Sequence, residues 1–295
     1  MTSHDTPLLR FHEDAALFRE SINFTAATTG FLARLIEKDY FCSVLLEYIA
    51  TNDESLIFKG GTCLTKVHAD FYRLSEDLDF AISMPLEAQR RERSQRAKIA
   101  KDLIQRIPRQ INAFRLKQPL TGSNNSTQYV AAVEYPSLAA GSVDQIKIEI
   151  SLREPVIVPV IQGQARTLLR DPISNVAMAP QLAIASLSKE EAFAEKFRAA
   201  LTRREAAIRD FFDIDHAVRR MALNTEASDF VAIVQQKLRV PGNDAIDVSD
   251  QRFAALQRQL EAQLKSVLRA EEFEEFDLAR AFTHVANMAA ALETS

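Results

Sequence analysis

The stretch from residue 56 to residue 82 constrains the fold more than any other, because its hydrophobic period changes twice. The apolar residues 56–58 lead into Gly60-Gly61, which is typical of a buried strand that enters a tight turn. Residues 62–71 then carry apolar side chains at helical spacing, and residues 77–82 alternate as a second strand does. A strand, a glycine turn, a helix and a second strand in this order predict an α/β unit.

The remaining segments extend this unit and add a helical one. Helices are predicted at residues 12–50 and 86–107, strands at 129–135 and 143–151, and a turn-rich cluster at 121–127. After Pro180 the chain is predicted to be helical to its end, with an interruption near residues 240–243. We therefore expect the α+β class, with a mixed-sheet N-terminal domain at residues 1–170 and a mostly α-helical C-terminal domain at residues 175–295.

The composition excludes several classes of protein. With 47% hydrophobic and 26% charged residues, the chain is neither largely disordered nor fibrous. Only two cysteines occur, Cys42 and Cys63, so no disulfide framework is expected. No targeting signal and no run of about 18 apolar residues is present, so we expect a cytoplasmic protein without a membrane partner.

Asp77 and Asp79 are the first candidate functional residues. Residues two apart on a strand share a face, so the two carboxylates are expected to point outward together and to need a nearby cation. If the strand at 143–151 lies beside this one, Glu149 completes a three-carboxylate cluster of the hard oxygen ligands that suit Mg²⁺. An exposed strand edge with ordinary acidic residues is the alternative.

Lys59, Gly60, Gly61 and Thr62 form the second candidate. A strand that ends in two glycines and opens a helix exposes backbone N–H groups to an approaching anion, and the Thr62 hydroxyl can add a donor. A simple strand-to-helix turn is the alternative. The turn lies 16 residues before the Asp77–Asp79 pair.

These motifs resemble those of a known family. Residues 58–64 (FKGGTCL) and 73–80 (RLSEDLDF), followed by residues 191–196 (EAFAEK) and 209–213 (RDFFD), resemble the AbiEii nucleotidyltransferase toxins of the polymerase-β-like superfamily, which include the MenT-like toxins of type IV toxin–antitoxin systems. The resemblance implies a nucleotidyltransferase-like fold and an enzyme that moves a nucleoside monophosphate from an NTP to an acceptor.

The resemblance also implies roles for individual residues. In the family the glycine turn and its hydroxyl residue hold the triphosphate, here Gly60, Gly61 and Thr62, and the paired aspartates Asp77 and Asp79 hold Mg²⁺. Lys196 and Asp210 are implied to be catalytic, and Lys196 also to bind the nucleotide. Where the superfamily often has a third aspartate, this chain has Glu149, which is longer by one methylene.

The sequence around Lys196 and Asp210 is compatible with these roles. Ser188 and Glu191 form a capping box that predicts a helix start, and Lys196 lies off the apolar stripe of that helix, where it is available to a phosphate. A solvated surface lysine is the alternative. Asp210 is predicted to begin the next helix, and capping alone could explain it.

Residues 90–117 form a strongly basic segment. They contain ten Lys or Arg and two acidic residues, a charge of +8 in a chain whose net charge is −4. A polyanion such as tRNA would be attracted to this surface, and its candidate contacts are Arg90, Arg91, Arg93 and Arg96. A solvated helix that pairs with acidic segments elsewhere is the alternative.

Together these features predict a Mg²⁺-dependent nucleotidyltransferase that acts as a toxin. The expected donor is an NTP, and the expected acceptor is an RNA, in the first place the tRNA 3′ end. A cognate antitoxin of the transcriptional-repressor type is the expected partner. Two alternatives remain open, a metal-dependent nuclease and a non-catalytic nucleic-acid-binding module on the same fold.

Overall fold

A computed structural model describes residues 9–294. The described chain divides into two compact units, one of residues 9–156 and 160–187 and one of residues 157–159 and 188–294. The boundary expected at residues 170–175 lies within the first of them.

The first unit is a mixed seven-stranded sheet with helices, which agrees with the expected α+β class. Its helices are α1 (Ala15–Thr29), α2 (Ala33–Asn52), α3 (Gly60–Cys63), α4 (Arg90–Arg96) and α5 (Lys98–Gln110). Its strands are β1 (Ile57–Lys59), β2 (Leu78–Ala81), β3 (Arg115–Ser123), β4 (Gln128–Pro136), β5 (Val143–Ser151), β6 (Ile161–Ala165) and β7 (Leu182–Ser186).

The strand order is β3-β4-β5-β2-β1-β7-β6. β2 pairs with β1 antiparallel and with β5 parallel, and β1 pairs with β7 parallel. Because β5 is the neighbour of β2, Glu149 lies on the strand beside the Asp77–Asp79 pair, as a three-carboxylate cluster requires. Every residue of α2 from Leu35 to Ile49 is buried, as expected of a helix enclosed on all sides by the core.

Three predicted helices differ from the observed structure, each for a local reason. The helix expected at 12–50 is interrupted at Gly30, which has φ +79° and closes α1. The helix expected at 86–107 is divided into α4 and α5 at Ala97, whose N–H bonds the carbonyls of both Arg93 and Gln95. β7 occupies residues where helix was expected after Pro180, and it completes the sheet beside β1.

The second unit is helical. It comprises α6 (Lys189–Thr202), α7 (Ile208–Arg220), α8 (Ser228–Leu238), α9 (Asp250–Gln257), α10 (Ala270–Glu275) and α11 (Leu278–Thr294). Its core contains aromatic pairs such as Phe211 and Phe282, whose rings stack with centroids 5.9 Å apart. None of the described helices, in either unit, is long and apolar enough to cross a bilayer.

The start of α6 differs in part from the predicted capping box. Ser188 caps the helix, since its side chain accepts from the Glu191 N–H. The Glu191 carboxylate instead accepts from the N–H groups of Ile157 and Val158 and pairs with buried Lys237 at 2.6 Å. Glu191 therefore holds the segment 157–159 against α6.

Candidate active site

The glycine turn is packed directly against the carboxylate of Asp79. Gly60 follows β1 with φ +76°, a conformation that side chains with a Cβ rarely adopt. A Cβ placed on Gly60 would lie 2.2 Å from Asp79 Oδ2, closer than any real contact. Both backbone conformation and space therefore require glycine at this position.

The strand register places the candidate residues in one row across the sheet. Lys59 of β1 is opposite Asp79 of β2, and Asp79 is opposite Glu149 of β5. Asp77 precedes β2 by one residue, and Lys147 lies two residues before Glu149 on β5. The structure thus brings the turn and all three predicted carboxylates onto the same face of the first unit.

Thr62 has a different contact from the predicted one. The residue is buried, and its hydroxyl donates to the backbone carbonyl of Asp77. The hydroxyl therefore fixes the segment that leads into β2, and this contact favours a positioning role over a direct bond to an anion.

The other side of the turn contains residues to which the sequence assigned no role. A Cβ on Gly61 would lie 2.7 Å from Arg73 Nη2 and 3.0 Å from Ser75 Oγ. Arg73 is almost completely buried, so a fixed positive charge lies against the turn. An arginine within the otherwise apolar residues 71–74 was the sequence signal for this buried guanidinium.

The three carboxylates repel one another. Burial, and then the neighbouring Glu149, raise the pKa of Asp79 from 3.8 to about 6, and Asp77 adds to this effect while Lys59 opposes it. Part of the Asp79 residue nevertheless remains accessible to solvent. The raised pKa therefore reflects a crowded set of negative charges as well as partial burial.

Lys147 lies between two of these carboxylates, a contact that the sequence reasoning missed. Its ammonium is 3.2 Å from Glu149 Oε2 and 3.9 Å from Asp77 Oδ2. Burial lowers the pKa of Lys147, but Glu149 and Asp77 raise it above its ordinary value. The other oxygen of Glu149, Oε1, accepts from Gln128 Nε2 at 2.7 Å.

The donor set fits a divalent cation at Asp77 and Asp79. Within residues 9–294, no group of three or more His, Cys, Asp or Glu side chains is arranged to hold a metal ion. The two aspartates are hard oxygen donors in a crowded negative field that Mg²⁺ would relieve, and Mg²⁺ is often held by one or two carboxylates plus substrate phosphates. Glu149 fits less well, because each of its oxygens already accepts from a neighbouring donor.

Lys196, Asp210 and Asp213 form an ion-paired cluster in the second unit. The Lys196 ammonium is 2.7 Å from Asp210 Oδ1 and 2.9 Å from Asp213 Oδ2, and Arg203 Nη1 is 3.0 Å from Asp210 Oδ2. Lys196 is therefore held by carboxylates rather than exposed on a solvated surface. Asp210 lies in the first turn of α7, but Ala207 is the N-cap, so the predicted capping role of Asp210 is wrong.

The basic segment is only partly the predicted surface. Arg90, Arg91 and Arg96 are exposed on α4. Arg93 is buried, and its guanidinium donates to the Leu86 carbonyl, so it does not belong to the exposed set.

An open groove of about 670 Å³ lies on this surface. It is lined by Arg90, Arg91, Ser94, Gln95, Lys98 and Lys101. The exposed basic charge thus continues from α4 onto α5.

Several solved structures share the fold of this chain. MenT4, nucleotidyltransferase toxin Rv2826c from Mycobacterium tuberculosis H37Rv, matches with a TM-score of 0.62 and 17% identity over 94% of this chain and 90% of its own. JHP933 from Helicobacter pylori matches with a TM-score of 0.52 and 17% identity over 90% of this chain and 94% of its own. A putative nucleotidyltransferase from H. pylori matches with a TM-score of 0.50 and 17% identity over 88% of this chain and 94% of its own. No curated protein sequence matches the chain significantly.

The fold therefore defines the class, a nucleotidyltransferase-like α+β protein. The family model of the nucleotidyl transferase AbiEii toxin, type IV toxin–antitoxin system, matches residues 44–288. The chain belongs to this family and is a nucleotidyltransferase. Membership confirms the resemblance and implies an NTP substrate and an antitoxin partner. It favours the transferase over both the nuclease and the non-catalytic module.

Proposed function

We propose that this protein transfers a nucleoside monophosphate from an NTP to an RNA acceptor in a Mg²⁺-dependent reaction, with the tRNA 3′ end as the first candidate acceptor. The observation that carries the proposal is the close contact of Gly60 with Asp79. It brings backbone that can approach a phosphate next to the carboxylates that suit its metal ion.

Residues around the turn would bind the triphosphate. Lys59 and the backbone of Gly60 and Gly61 supply positive charge and N–H donors, and buried Arg73 adds a fixed charge behind the turn. Asp77 and Asp79 would hold Mg²⁺, which supplies charge neutralisation at the phosphates. Thr62 keeps Asp77 in place through the bond to its carbonyl.

The reaction is a displacement at the α-phosphorus. The acceptor hydroxyl oxygen forms the new bond to this phosphorus, the bond to the bridging oxygen breaks, and pyrophosphate leaves with the electron pair. The proton of the hydroxyl passes to a carboxylate of the Asp77, Asp79 and Glu149 face. Lys196, held by Asp210 and Asp213, is proposed to offset negative charge on the triphosphate.

The basic surface of α4 and α5, exposed at four of its five charged residues and partly buried at Lys101, is proposed to bind the acceptor. Arg90, Arg91, Arg96, Lys98 and Lys101 provide five positive charges, which favour a polyanion over a protein acceptor. Because NTPs and tRNA are cytoplasmic, the proposal places the reaction in the cytoplasm, with an antitoxin of the transcriptional-repressor type as the partner.

A labelling experiment tests the proposal. The protein is incubated with Mg²⁺, total tRNA and each of the four α-labelled NTPs in turn, beside an Asp77→Asn, Asp79→Asn double variant and an Asp250→Asn control, whose aspartate is exposed at the start of α9. We expect label on RNA with at least one NTP, its loss in the double variant and its retention in the control. Label on a protein instead of RNA would overturn the proposed acceptor, and no transfer with any NTP would overturn the proposed reaction.

A further inference from the structure

Glu149 has the position of a third metal ligand but the contacts of a different kind of residue. It is opposite Asp79 in the sheet, yet its Oε1 accepts from Gln128 and its Oε2 faces the Lys147 ammonium at 3.2 Å. Gln128 in turn accepts from Asn124 at the tip between β3 and β4. The carboxylate is thus fixed on both sides by donors of its own sheet.

The Lys147 ammonium occupies a place where it opposes a metal ion. It lies 3.9 Å from Asp77 Oδ2, and 44% of the Lys147 side chain is exposed. A divalent cation bound to Asp77 would meet this positive charge at close range, where repulsion between charges is strong. The four-carbon stem of lysine is flexible, so the ammonium can turn toward Glu149 without a change in the strand.

We propose that Lys147 is an internal counter-cation of the carboxylate face, and that Glu149 is the positioning residue that holds it rather than a metal ligand. The inference rests on the proposed function, because it takes Asp77 and Asp79 as the residues that hold the metal. Lys147 then competes with a divalent cation for Asp77.

The charges on this face determine how the competition between Lys147 and a divalent cation depends on the nucleotide. Asp77, Asp79 and Glu149 carry three negative charges, and Lys59 and Lys147 carry two positive ones that offset much of this charge. A free divalent cation therefore binds at Asp77 less tightly than it would without the Lys147 ammonium. An NTP adds several negative charges, which favour the cation and give the ammonium a second partner. The metal ion is therefore expected to bind more tightly when the nucleotide is present.

The alternative, in which Glu149 ligates the metal, makes a different prediction. If Glu149 only holds Lys147, its neutralisation lets the ammonium lean onto Asp77 and weakens metal binding only while Lys147 is present. If Glu149 is a ligand, its neutralisation weakens metal binding whether or not Lys147 is present. A double-mutant cycle separates the two.

The experiment measures Mn²⁺ binding without NTP by electron paramagnetic resonance, which does not depend on activity. Lys147→Met is expected to tighten Mn²⁺ binding about tenfold. Glu149→Gln is expected to weaken it about threefold in the wild-type background, and to leave it unchanged in the Lys147→Met background. Lys117→Met, which removes an exposed lysine paired with Glu134 at 3.0 Å on the same sheet, is the matched control and is expected to change nothing.

Two results would overturn the inference. One is Mn²⁺ binding that does not tighten in Lys147→Met, or in Lys147→Gln should the first variant fail to fold. The other is a weakening by Glu149→Gln of tenfold or more in the Lys147→Met background. The Asp77→Asn, Asp79→Asn variant distinguishes failure of this inference from failure of the proposed function. If Mn²⁺ binds it as it binds the wild type, the metal site itself is misplaced.

Discussion

At Gly60, two independent constraints require the same residue. The positive φ excludes ordinary side chains through the backbone, and the Asp79 carboxylate excludes them through space. Gly141 has a positive φ too, but a Cβ added there would meet nothing within 4 Å. This pair of glycines allows the two constraints to be measured separately.

Gly60→Ala is expected to abolish transfer and to lower the free energy of unfolding by several kcal/mol, because the new methyl displaces Asp79. Gly141→Ala is expected to cost only about 1 kcal/mol of conformational strain and to leave activity unchanged. Urea unfolding and the labelling assay measure both effects. Equal losses in the two variants would show that the contact with Asp79 is unimportant.

Asp79 is expected to make stability fall as pH rises. Because its pKa is about 6 in the folded protein and 3.8 otherwise, the folded state holds a proton between these values that the unfolded chain has released. In EDTA, Asp79→Asn should therefore stabilise the protein at pH 7.5, by about 1–2 kcal/mol after allowance for solvent screening. The difference should vanish below pH 4. Unfolding curves at several pH values measure this difference in stability, with Asp250→Asn as the control. No gain in stability at pH 7.5 would contradict the prediction.

At the scale of elements, α4 carries both exposed and buried basic residues. Its start is fixed by Gln89 and Glu92, which form a capping box, and this orientation turns Arg93 inward to the Leu86 carbonyl. Arg90, Arg91 and Arg96 then face solvent. Arginines of the same helix therefore have two roles: Arg93 packs inside the protein, and the other three provide surface charge.

Replacing Arg90, Arg91 and Arg96 together with Gln is expected to weaken RNA binding and to reduce the slope of log K against log salt by about 2, since each lost phosphate contact removes about 0.7 for single strands. Arg93→Gln is expected instead to lower the free energy of unfolding by about 1–2 kcal/mol and to leave RNA binding nearly unchanged. Salt titrations of tRNA binding and urea unfolding test the contrast. An unchanged salt slope in the triple variant would show that these residues of α4 do not bind RNA.

In the second unit, α6 and α7 are joined by the Lys196 cluster. Lys196→Met leaves two buried carboxylates, Asp210 and Asp213, without the ammonium that pairs with them, so we expect a loss of about 3 kcal/mol of stability. Lys189→Met on the same helix, where the lysine is partly exposed, should cost less than about 1 kcal/mol. Thermal and urea unfolding compare the two. Equal costs would mean that the cluster contributes nothing particular to the fold.

The elements also indicate how far the sequence could be interpreted. Residues 143–151 alternate so regularly that the predicted strand and β5 coincide. β7 was not predicted, because its sequence Leu-Ala-Ile-Ala-Ser contains small residues that suit a helix equally well. Only its pairing with β1 makes this segment a strand. The glycine turn at Gly60 followed from a local pattern, whereas the adjacency of Asp79 and Glu149 was only a condition that the pairing of β2 with β5 fulfils. The Lys147 contact was not predicted, because alternation gives the face of a residue but not the partner of its charge.

For the whole molecule, binding of the nucleotide should appear as a gain in stability. At an NTP concentration 100 times its dissociation constant, with Mg²⁺, the free energy of unfolding is expected to rise by about 2.7 kcal/mol. EDTA should remove most of this gain if the nucleotide binds together with the metal ion. Thermal unfolding with and without EDTA measures it, and an equal gain in the Asp77→Asn, Asp79→Asn variant would contradict a role for these aspartates.

The segment 157–159 has a consequence for the order of synthesis. It belongs to the second unit, although the chain on both sides of it belongs to the first. The N–H groups of Ile157 and Val158 leave the ribosome about 30 residues before Glu191, their acceptor, and Lys237 follows still later. A chain released early, before residue 237, lacks this last partner of the buried carboxylate. The buried ion pair of the helical unit therefore forms only after residue 237 has been made.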